Sequence, residues 1–248
     1  MDLGIAGRRA AVAGASAGLG LAVARALAAE GVRVAICSRD AARIRAAAAS
    51  IEGGAEPIVA DVGTPAGATA FVEAATAALG GVDILVANAG GPPPGTFATT
   101  PLEAYPAALD LSLVSVVAMC QAAVPAMQER RWGRVVAITS IAVRQPIANL
   151  ILSNTARAGL TGFLKTLALE VAGDGVTVNS VQPGFHDTDR LRSLHGGDLA
   201  GLRSRIPVGE LGRPEDLGAV VAFMCSEHAR YLTGAAIPVE GGTYGALL

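Results

Sequence analysis

Short apolar runs alternate along the chain with longer stretches in which apolar residues recur every three or four positions. The short runs have the length of β-strands and are rich in β-branched residues, whereas the longer stretches have the period of helices with one apolar face. The predicted strands are residues 10–13, 33–37, 57–60, 84–87, 134–138, 177–181 and 236–239. The predicted helices are residues 19–30, 65–79, 102–130, 154–172 and 214–225.

Strands that take turns with helices are joined by right-handed crossovers and lie parallel in one sheet. The pattern therefore predicts an α/β fold, a doubly wound parallel sheet of about seven strands with helices on both faces. A length of 248 residues suits one such unit, so residues 1–248 are predicted to form a single domain. Ligands of these sheets bind at the carboxyl ends of the strands, so function is sought in the residues that follow each strand.

Composition narrows the range of partners. The net charge of −2 argues against nucleic acid or an anionic membrane as a partner. Cys37, Cys120 and Cys225 lie far apart and form no paired motif, so they are expected to be buried free thiols in a reducing compartment. We therefore predict a cytoplasmic protein without a metal site.

Two segments resemble export or membrane signals. Arg8 and Arg9 precede an apolar stretch, as in a twin-arginine leader, but glycines at the spacing of a nucleotide loop interrupt that stretch. Residues 111–128 carry no charge and approach the length of a membrane span. Their apolar side chains recur on one helix face, so we interpret the segment as a buried or subunit-interface helix and predict no membrane partner.

The segment after the first predicted strand is rich in glycine and begins a helix. Glycine lets the backbone turn sharply and approach a diphosphate, and the free N–H groups at a helix N-terminus attract negative charge. Tight packing of the helix on the strand is the alternative interpretation. The cofactor-binding residues predicted in this loop are Gly14, Ser16, Gly18, Leu19 and Gly20.

The Gly-x-x-x-Gly-x-Gly spacing of this loop resembles the short-chain dehydrogenase/reductase family, and three further segments match the family in order over nearly the whole chain. The resemblance implies a Rossmann-like, dinucleotide-binding fold. The further cofactor contacts that it implies are Asp61 and Val62 at the adenine ring, Asn88, Ala89 and Gly90 as the Asn-Ala-Gly signature, and Pro183, Gly184 and Thr188 over the nicotinamide and its phosphate.

The end of the second predicted strand indicates which dinucleotide binds. A carboxylate at this point accepts hydrogen bonds from the adenosine ribose and repels a 2′-phosphate. Here the position holds Ser38, followed by Arg39 and Asp40. A hydroxyl and a guanidinium can both bind phosphate, so we predict NADP(H) as the cofactor. The alternatives are that Arg39 is a solvated loop charge or that Asp40 neutralises it.

The reaction centre departs from the family pattern. The resemblance implies Ser, then Tyr thirteen residues later and Lys four after that, with an upstream Asn. The chain has Ser140, Ser153 and Arg157 at the first three positions and Ser112 at the fourth. An aliphatic hydroxyl lacks the acidity of a phenol and arginine does not deprotonate, so the family's proton relay is not reproduced. Arg157 can still bind ribose, stabilise an oxyanion or hold a carboxylate, and a decayed site is the alternative.

Other polar residues are candidates for the missing chemistry. His186 follows the predicted nicotinamide segment and has an ordinary pKa suited to proton transfer at neutral pH; the alternative is an exposed loop residue. His195 and His228 have weaker claims. Tyr105 and Tyr231 would donate a proton only if the fold brought them to the site. The predicted substrate contacts are Arg144, Gln145 and Asn149.

Three functions are compatible with these residues. The first is an NADP(H)-dependent oxidoreductase that acts on a carbonyl or hydroxyl substrate, of the 3-oxoacyl or ketone class, with a non-standard proton donor. The second is a non-redox isomerase, epimerase or cyclase in which Ser140, Ser153 and Arg157 stabilise an enolate-like intermediate. The third is a catalytically silent nucleotide-binding or assembly subunit.

Two further expectations concern the outer parts of the fold. Residues 185–205 are rich in glycine and charge, which is typical of a lid that orders over a small-molecule substrate. The apolar faces of residues 109–127 and 160–171 exceed what one sheet face needs as cover. The family commonly pairs these helices across subunits, so we expect a homodimer or homotetramer.

Overall fold

Seven strands of the described residues lie side by side in one sheet. The computed structural model describes residues 1–194 and 199–247. The strands are β1 (Arg9–Val12), β2 (Arg33–Ser38), β3 (Glu56–Val59), β4 (Ile84–Ala87), β5 (Gly133–Ile138), β6 (Val176–Pro183) and β7 (Ala236–Val239). Their order is β3-β2-β1-β4-β5-β6-β7, and every neighbouring pair is parallel. The predicted doubly wound parallel sheet is confirmed.

Helices cover both faces of this sheet. The helices are α1 (Gly18–Ala29), α2 (Ala41–Ala49), α3 (Pro65–Leu79), α4 (Ala104–Leu109), α5 (Ser115–Glu129), α6 (Ile151–Val171), α7 (Asp189–Leu194), α8 (Ala200–Arg203) and α9 (Pro214–Met224). One apolar core joins α3, α5 and α6 to the sheet and contains the buried side chains of Phe71 and Met119. The other joins α1, α2 and α9 to the opposite face and contains Leu27 and Leu217. All six residues of β5 are buried, as both faces of a covered parallel strand must be.

Three helix predictions need correction. Helix α2 was missing from the predicted set because its alanine-rich sequence has a weak apolar period, although Asp40 caps it by accepting hydrogen bonds from the backbone of Ala42 and Arg43. The predicted helix 102–130 is divided by a π-helical turn, Asp110–Val114, between α4 and α5. Helix α6 begins at Ile151, three residues before the predicted start, so Ser153 lies in its first turn.

The helical run Ala104–Glu129 is long and apolar enough to cross a membrane by length and composition alone. Half of its most apolar window is buried within the fold, against α3 and the sheet. A core helix of a folded domain passes the same test, which agrees with the interpretation of this segment as a core helix. The three cysteines are also buried, and burial raises the pKa of each thiol to about 12.

Candidate active site

A cleft of about 920 Å³ opens at the carboxyl ends of the strands. The loops after β1, β2, β4, β5 and β6 all contribute to its walls. The predicted site residues that line it are Gly14, Gly18, Leu19, Gly20, Arg39, Asn88, Ala89, Gly90, Ser140, Gln145, Ser153, Arg157, Pro183, Gly184, His186 and Thr188. Ser16, Ser38, Asp61, Val62, Arg144 and Asn149 lie outside its lining.

The glycine loop is held in place by an amide side chain. Asn88 Nδ2 donates hydrogen bonds to the carbonyl oxygens of Ala13, at 3.2 Å, and Gly14, at 3.0 Å. Gly14 has a φ of +58°, and a Cβ on Gly20 would lie 2.5 Å from the Gly14 carbonyl oxygen. Ala17 provides no side-chain cap for α1, so the first N–H groups of the helix are left for a ligand oxygen. Both features fit the diphosphate of a dinucleotide.

The adenosine end of the cleft carries two arginines. Arg39 and Arg43 are exposed and line it together, one helical turn apart at the start of α2. Asp40 forms no ion pair with either arginine among the described residues, and its carboxylate accepts hydrogen bonds from the N–H groups of Ala42 and Arg43. The bond from the Arg43 backbone is the main cause that lowers the pKa of Asp40. Sequence reasoning missed Arg43 because α2 was not predicted; its spacing from Arg39 was the available signal.

Two predicted contacts at this end serve the local structure. The Ser38 hydroxyl donates to the backbone oxygen of Asp40, at 3.1 Å, and so closes the turn into α2. The Asp61 carboxylate accepts from Gly63 N, at 2.9 Å, in the turn that leads to α3. Neither side chain lines the cleft.

At the other end, Ser140 follows β5 and begins a short 3₁₀ turn. Its Oγ accepts a hydrogen bond from Ala142 N, at 3.1 Å, which fixes the side chain and leaves the hydroxyl hydrogen to donate. Ser140 lines the cleft beside Ser153 and Arg157. The geometry therefore provides a fixed hydroxyl donor in the wall of the cavity.

Arg157 connects α6 to the end of β5. Its Nη1 donates to the carbonyl oxygens of Ile138, at 3.0 Å, and Thr139, at 2.9 Å, and its Nε donates to Ser153 Oγ, at 3.3 Å. No carboxylate of the described residues pairs with it. Burial, and secondarily the charge of Arg190, lowers the pKa of Arg157 to about 10. Arg157 is thus a partly buried cation at neutral pH that an anionic ligand would stabilise.

His186 is buried, which contradicts the alternative that it is an exposed loop residue. Only 4% of its surface is accessible, and its ring packs on Gly212, where an added Cβ would lie 2.8 Å from the imidazole. Nδ1 lies 3.4 Å from the Gly184 carbonyl oxygen, and Nε2 has no hydrogen-bond partner among the described residues. Burial lowers the pKa of His186, so the ring is neutral at pH 7.

The predicted substrate contacts divide into two groups. Gln145 lines the cleft, whereas Arg144 is used to join strands: its Nε donates to Gln182 Oε1, at 2.6 Å, and its Nη2 to the Ala236 carbonyl oxygen, at 2.9 Å. Asn149, with a φ of +67°, lines a separate cavity of about 350 Å³. The sequence placed Arg144 near the site correctly but could not show which way its side chain points.

The remaining described candidates do not line the cleft. Tyr231 is fully exposed, and neither it nor Tyr105 lines the cavity among the described residues. Ser112 lies buried in the π-helical turn, where its hydroxyl has no described hydrogen-bond partner. His195 falls outside the described residues. Two arginines that sequence reasoning missed, Arg190 and Arg205, line the cleft instead.

The glycine loop, the parallel sheet and the cleft define a dinucleotide-binding α/β protein. Residues 14–244 match a family model described as enoyl-(acyl carrier protein) reductase. The chain is also similar to the 3-oxoacyl-[acyl-carrier-protein] reductase FabG of Escherichia coli strain K12, with 35% identity over 96% of this chain and 98% of that protein. It belongs to the short-chain dehydrogenase/reductase family, an oxidoreductase family.

Two solved structures extend the similarity. L-sorbose reductase of Gluconobacter frateurii, complexed with NADPH and L-sorbose, aligns with a TM-score of 0.93 and 33% identity over the whole of both chains. An NADPH-bound short-chain oxidoreductase of Pseudomonas aeruginosa PAO1, described as containing an atypical catalytic center, aligns with a TM-score of 0.89 and 33% identity over 96% of this chain and 97% of that chain.

Proposed function

We propose that the protein is an NADP(H)-dependent oxidoreductase that acts on a carbonyl or hydroxyl substrate of the 3-oxoacyl or ketone class. The observation that carries the proposal is that one cleft joins the glycine loop to Ser140 and Arg157. The NADPH complexes of the sorbose reductase and the Pseudomonas oxidoreductase support the choice of cofactor. Arg39 and Arg43 are the residues proposed to hold the 2′-phosphate, because both line the adenosine end of the cleft and neither forms an ion pair among the described residues.

A bound NADPH would supply the hydride that reduces the carbonyl carbon and would leave as NADP⁺; the C=O electron pair would move to oxygen and take a proton from water. Ser140 donates its free hydroxyl hydrogen to the carbonyl oxygen and so fixes the orientation of the substrate. Arg157 provides a fixed positive charge where negative charge develops on that oxygen. Its three hydrogen bonds to the protein hold the guanidinium in place before the reaction.

The proton donor differs from the phenol that the family pattern implies. Ser153 Oγ accepts from Arg157, and a serine hydroxyl has no acidity to release a proton near pH 7. The Nε2 of His186 is buried against Gly212 and has no exposed surface from which to reach the substrate. We therefore assign the proton to a water molecule, which supplies it in reduction and takes it back when the reaction runs in reverse.

The outer segments have supporting roles in this proposal. Residues 185–194 and 199–205 form the described part of the proposed lid, and α7 and α8 pack there on a small apolar cluster that contains Leu191 and Leu202.

We also propose that α5 and α6 pair with a second copy of the chain. Sedimentation at micromolar concentration should give a dimer or tetramer, and a monomer would contradict the pairing. Cytoplasmic localisation stays a prediction.

A titration of the purified protein with NADPH and NADH tests the function. Nicotinamide fluorescence reports binding, and its loss after addition of ketones and 3-oxoacyl thioesters reports turnover. NADPH binding with turnover is expected. Failure to bind either nucleotide would refute the proposal and favour a non-redox or silent protein, whereas binding without turnover of any ketone would refute the assigned reaction.

A further inference from the structure

The charge of the cleft is opposite to that of the whole chain. The chain has a net charge of −2, yet among the described residues the charged side chains that line the cleft are five arginines and one aspartate. They are Arg39, Arg43, Arg157, Arg190, Arg205 and Asp189. The phosphates of the cofactor account for the arginines at the adenosine end, but the cleft contains positive charge beyond that end.

Arg205 lies at the opposite side of the sheet from the adenosine end. The residues that follow it pack on the chain after β7, where Val208 N donates to the Gly241 carbonyl oxygen, at 3.2 Å. Five interstrand steps separate β2 from β7, which at the usual strand spacing is about 24 Å. The diphosphate-binding loop follows β1, so Arg205 is remote from both phosphate positions of the cofactor.

Arg190 is on the same wall as Arg205. Leu191 and Ile206, their neighbours in sequence, share the apolar cluster between α7 and α8. Arg190 reaches across to the loop after β4, where its Nη2 donates to the Pro92 carbonyl oxygen, at 2.9 Å. Its charge contributes to the lowered pKa of Arg157, which places it near the reaction centre.

Neither guanidinium forms an ion pair within residues 1–194 and 199–247. Nearby carboxylates are used elsewhere: Asp187 pairs with Arg192 and Asp216 pairs with Arg213, each at 2.7 Å. Among the described residues, Arg205 makes no side-chain hydrogen bond or ion pair and Arg190 makes no ion pair. The acidic residue of the lining, Asp189, adds its charge to the environment of Arg192. Two guanidinium groups without an ion pair among the described residues thus face the cavity, and that of Arg205 lies on the side away from the adenosine end.

We propose that the substrate is an oxo acid, or the corresponding hydroxy acid, whose free carboxylate is held by Arg190 and Arg205 while its carbonyl lies at Ser140. A guanidinium presents two parallel N–H donors that match the two oxygens of a carboxylate. A thioester or a neutral ketone has no charge near its carbonyl and would leave both arginines unpaired. The inference deepens the proposed function and rests on it for the position of the carbonyl.

The test compares oxo acids with their methyl esters. The probes are 2-oxobutanoate, acetoacetate and levulinate, each with its methyl ester, assayed with NADPH on the wild type and on Arg190→Gln, Arg205→Gln and Arg203→Gln. Arg203 is exposed in α8 and does not line the cleft, so it is the matched control. For at least one pair, kcat/KM should be about 10- to 100-fold higher for the acid, since charge-assisted hydrogen bonds contribute that much.

The variants decide between substrate and cofactor roles. Arg190→Gln and Arg205→Gln should remove the preference for the acid over the ester and leave the Kd of NADPH within threefold, whereas Arg203→Gln should change neither quantity. Equal rates for acids and esters in the wild type would overturn the inference while the reductase function stands. Weaker NADPH binding in both variants without loss of acid preference would overturn it in favour of a cofactor role.

A second measurement does not need turnover. Levulinate should raise the melting temperature of the wild type and of Arg203→Gln more than methyl levulinate does, and this difference should disappear in Arg205→Gln. If the difference is present while no probe is reduced, the carboxylate site stands and the proposed reaction fails. If the difference is absent in the wild type, the carboxylate site is refuted.

Discussion

Selectivity for NADP(H) over NAD(H) should depend on the two arginines at the start of α2. The perturbation is the double substitution Arg39→Ala and Arg43→Ala. Both side chains line the adenosine end of the cleft, and Asp40 is occupied in capping the helix. Removing them deletes the groups that face a 2′-phosphate and leaves the groups that face the diphosphate.

The size of the expected loss of NADPH affinity follows from the solvent exposure of the two arginines. A hydrogen bond to a charged group contributes about 1.5–3 kcal/mol when sheltered, but both arginines are exposed to solvent, so about 1 kcal/mol each is the better figure. Together they contribute about 2 kcal/mol, which corresponds to roughly 30-fold in Kd. The Kd of NADPH should therefore rise about 30-fold while that of NADH changes less than threefold. Higher salt should reduce the wild-type preference because the charges are screened.

The assay is a fluorescence titration of each variant with both nucleotides at two salt concentrations. Arg45→Ala is the control, because Arg45 lies in the same helix, is exposed and does not line the cleft. An equal loss of NADH affinity in the double variant would show that the arginines do not read the 2′-phosphate. An effect of Arg45→Ala as large as that of the double variant would show that the overall positive charge of the helix, and not Arg39 and Arg43 in particular, sets the affinity for NADPH.

Three other predictions follow from the site. Ser140→Ala removes the hydroxyl donor and should lower kcat about 100-fold, with the Kd of NADPH unchanged; steady-state kinetics and titration check this, and an unchanged kcat would remove Ser140 from the mechanism. Gly20→Ala should prevent NADPH binding, because the added Cβ would collide with the Gly14 carbonyl oxygen. The same collision should lower the free energy of unfolding, measured by urea denaturation, by about 1–3 kcal/mol. Burial lowers the pKa of His186 below 6.5, so the unfolded chain takes up the proton first and the free energy of unfolding should fall as the pH decreases below 6.5. His186→Gln should flatten this dependence of stability on pH, and an unchanged dependence would contradict the lowered pKa of His186.

The sheet was predictable because the burial of a strand leaves a recognisable apolar pattern in its sequence. β4 and β5 are covered on both faces, which requires continuous apolar runs and leaves little other interpretation. The cofactor cradle was predictable for a related reason, since the turn around Gly14 and Gly20 leaves no room for a side chain. Both signals are local, so neither needs knowledge of distant contacts.

The substrate side depends on contacts that no local pattern contains. Arg144 and Arg190 are both polar residues in loops near the site, but Arg144 is directed to Gln182 and Ala236 whereas Arg190 faces the cleft. The partners of Arg144 are 38 and 92 residues away in the chain. Side-chain direction at such positions is set by tertiary packing, which explains why the sequence predicted the former as a substrate contact and missed the latter.

The two substitutions at the reaction centre form one structural unit. Arg157 reaches the carbonyl oxygens at the end of β5 while its Nε contacts Ser153 Oγ, a contact that requires a small side chain at position 153. At the positions where the family resemblance implies an ionisable phenol and a lysine, this chain has a serine and an arginine, and we propose that a fixed charge acts here in place of a titrating proton donor. Because the pKa of Arg157 falls only to about 10, that charge persists across the neutral range. Stabilisation of an oxyanion at this site should therefore be independent of pH between about 6 and 9, and any pH dependence of turnover in that range must come from a group other than Arg157.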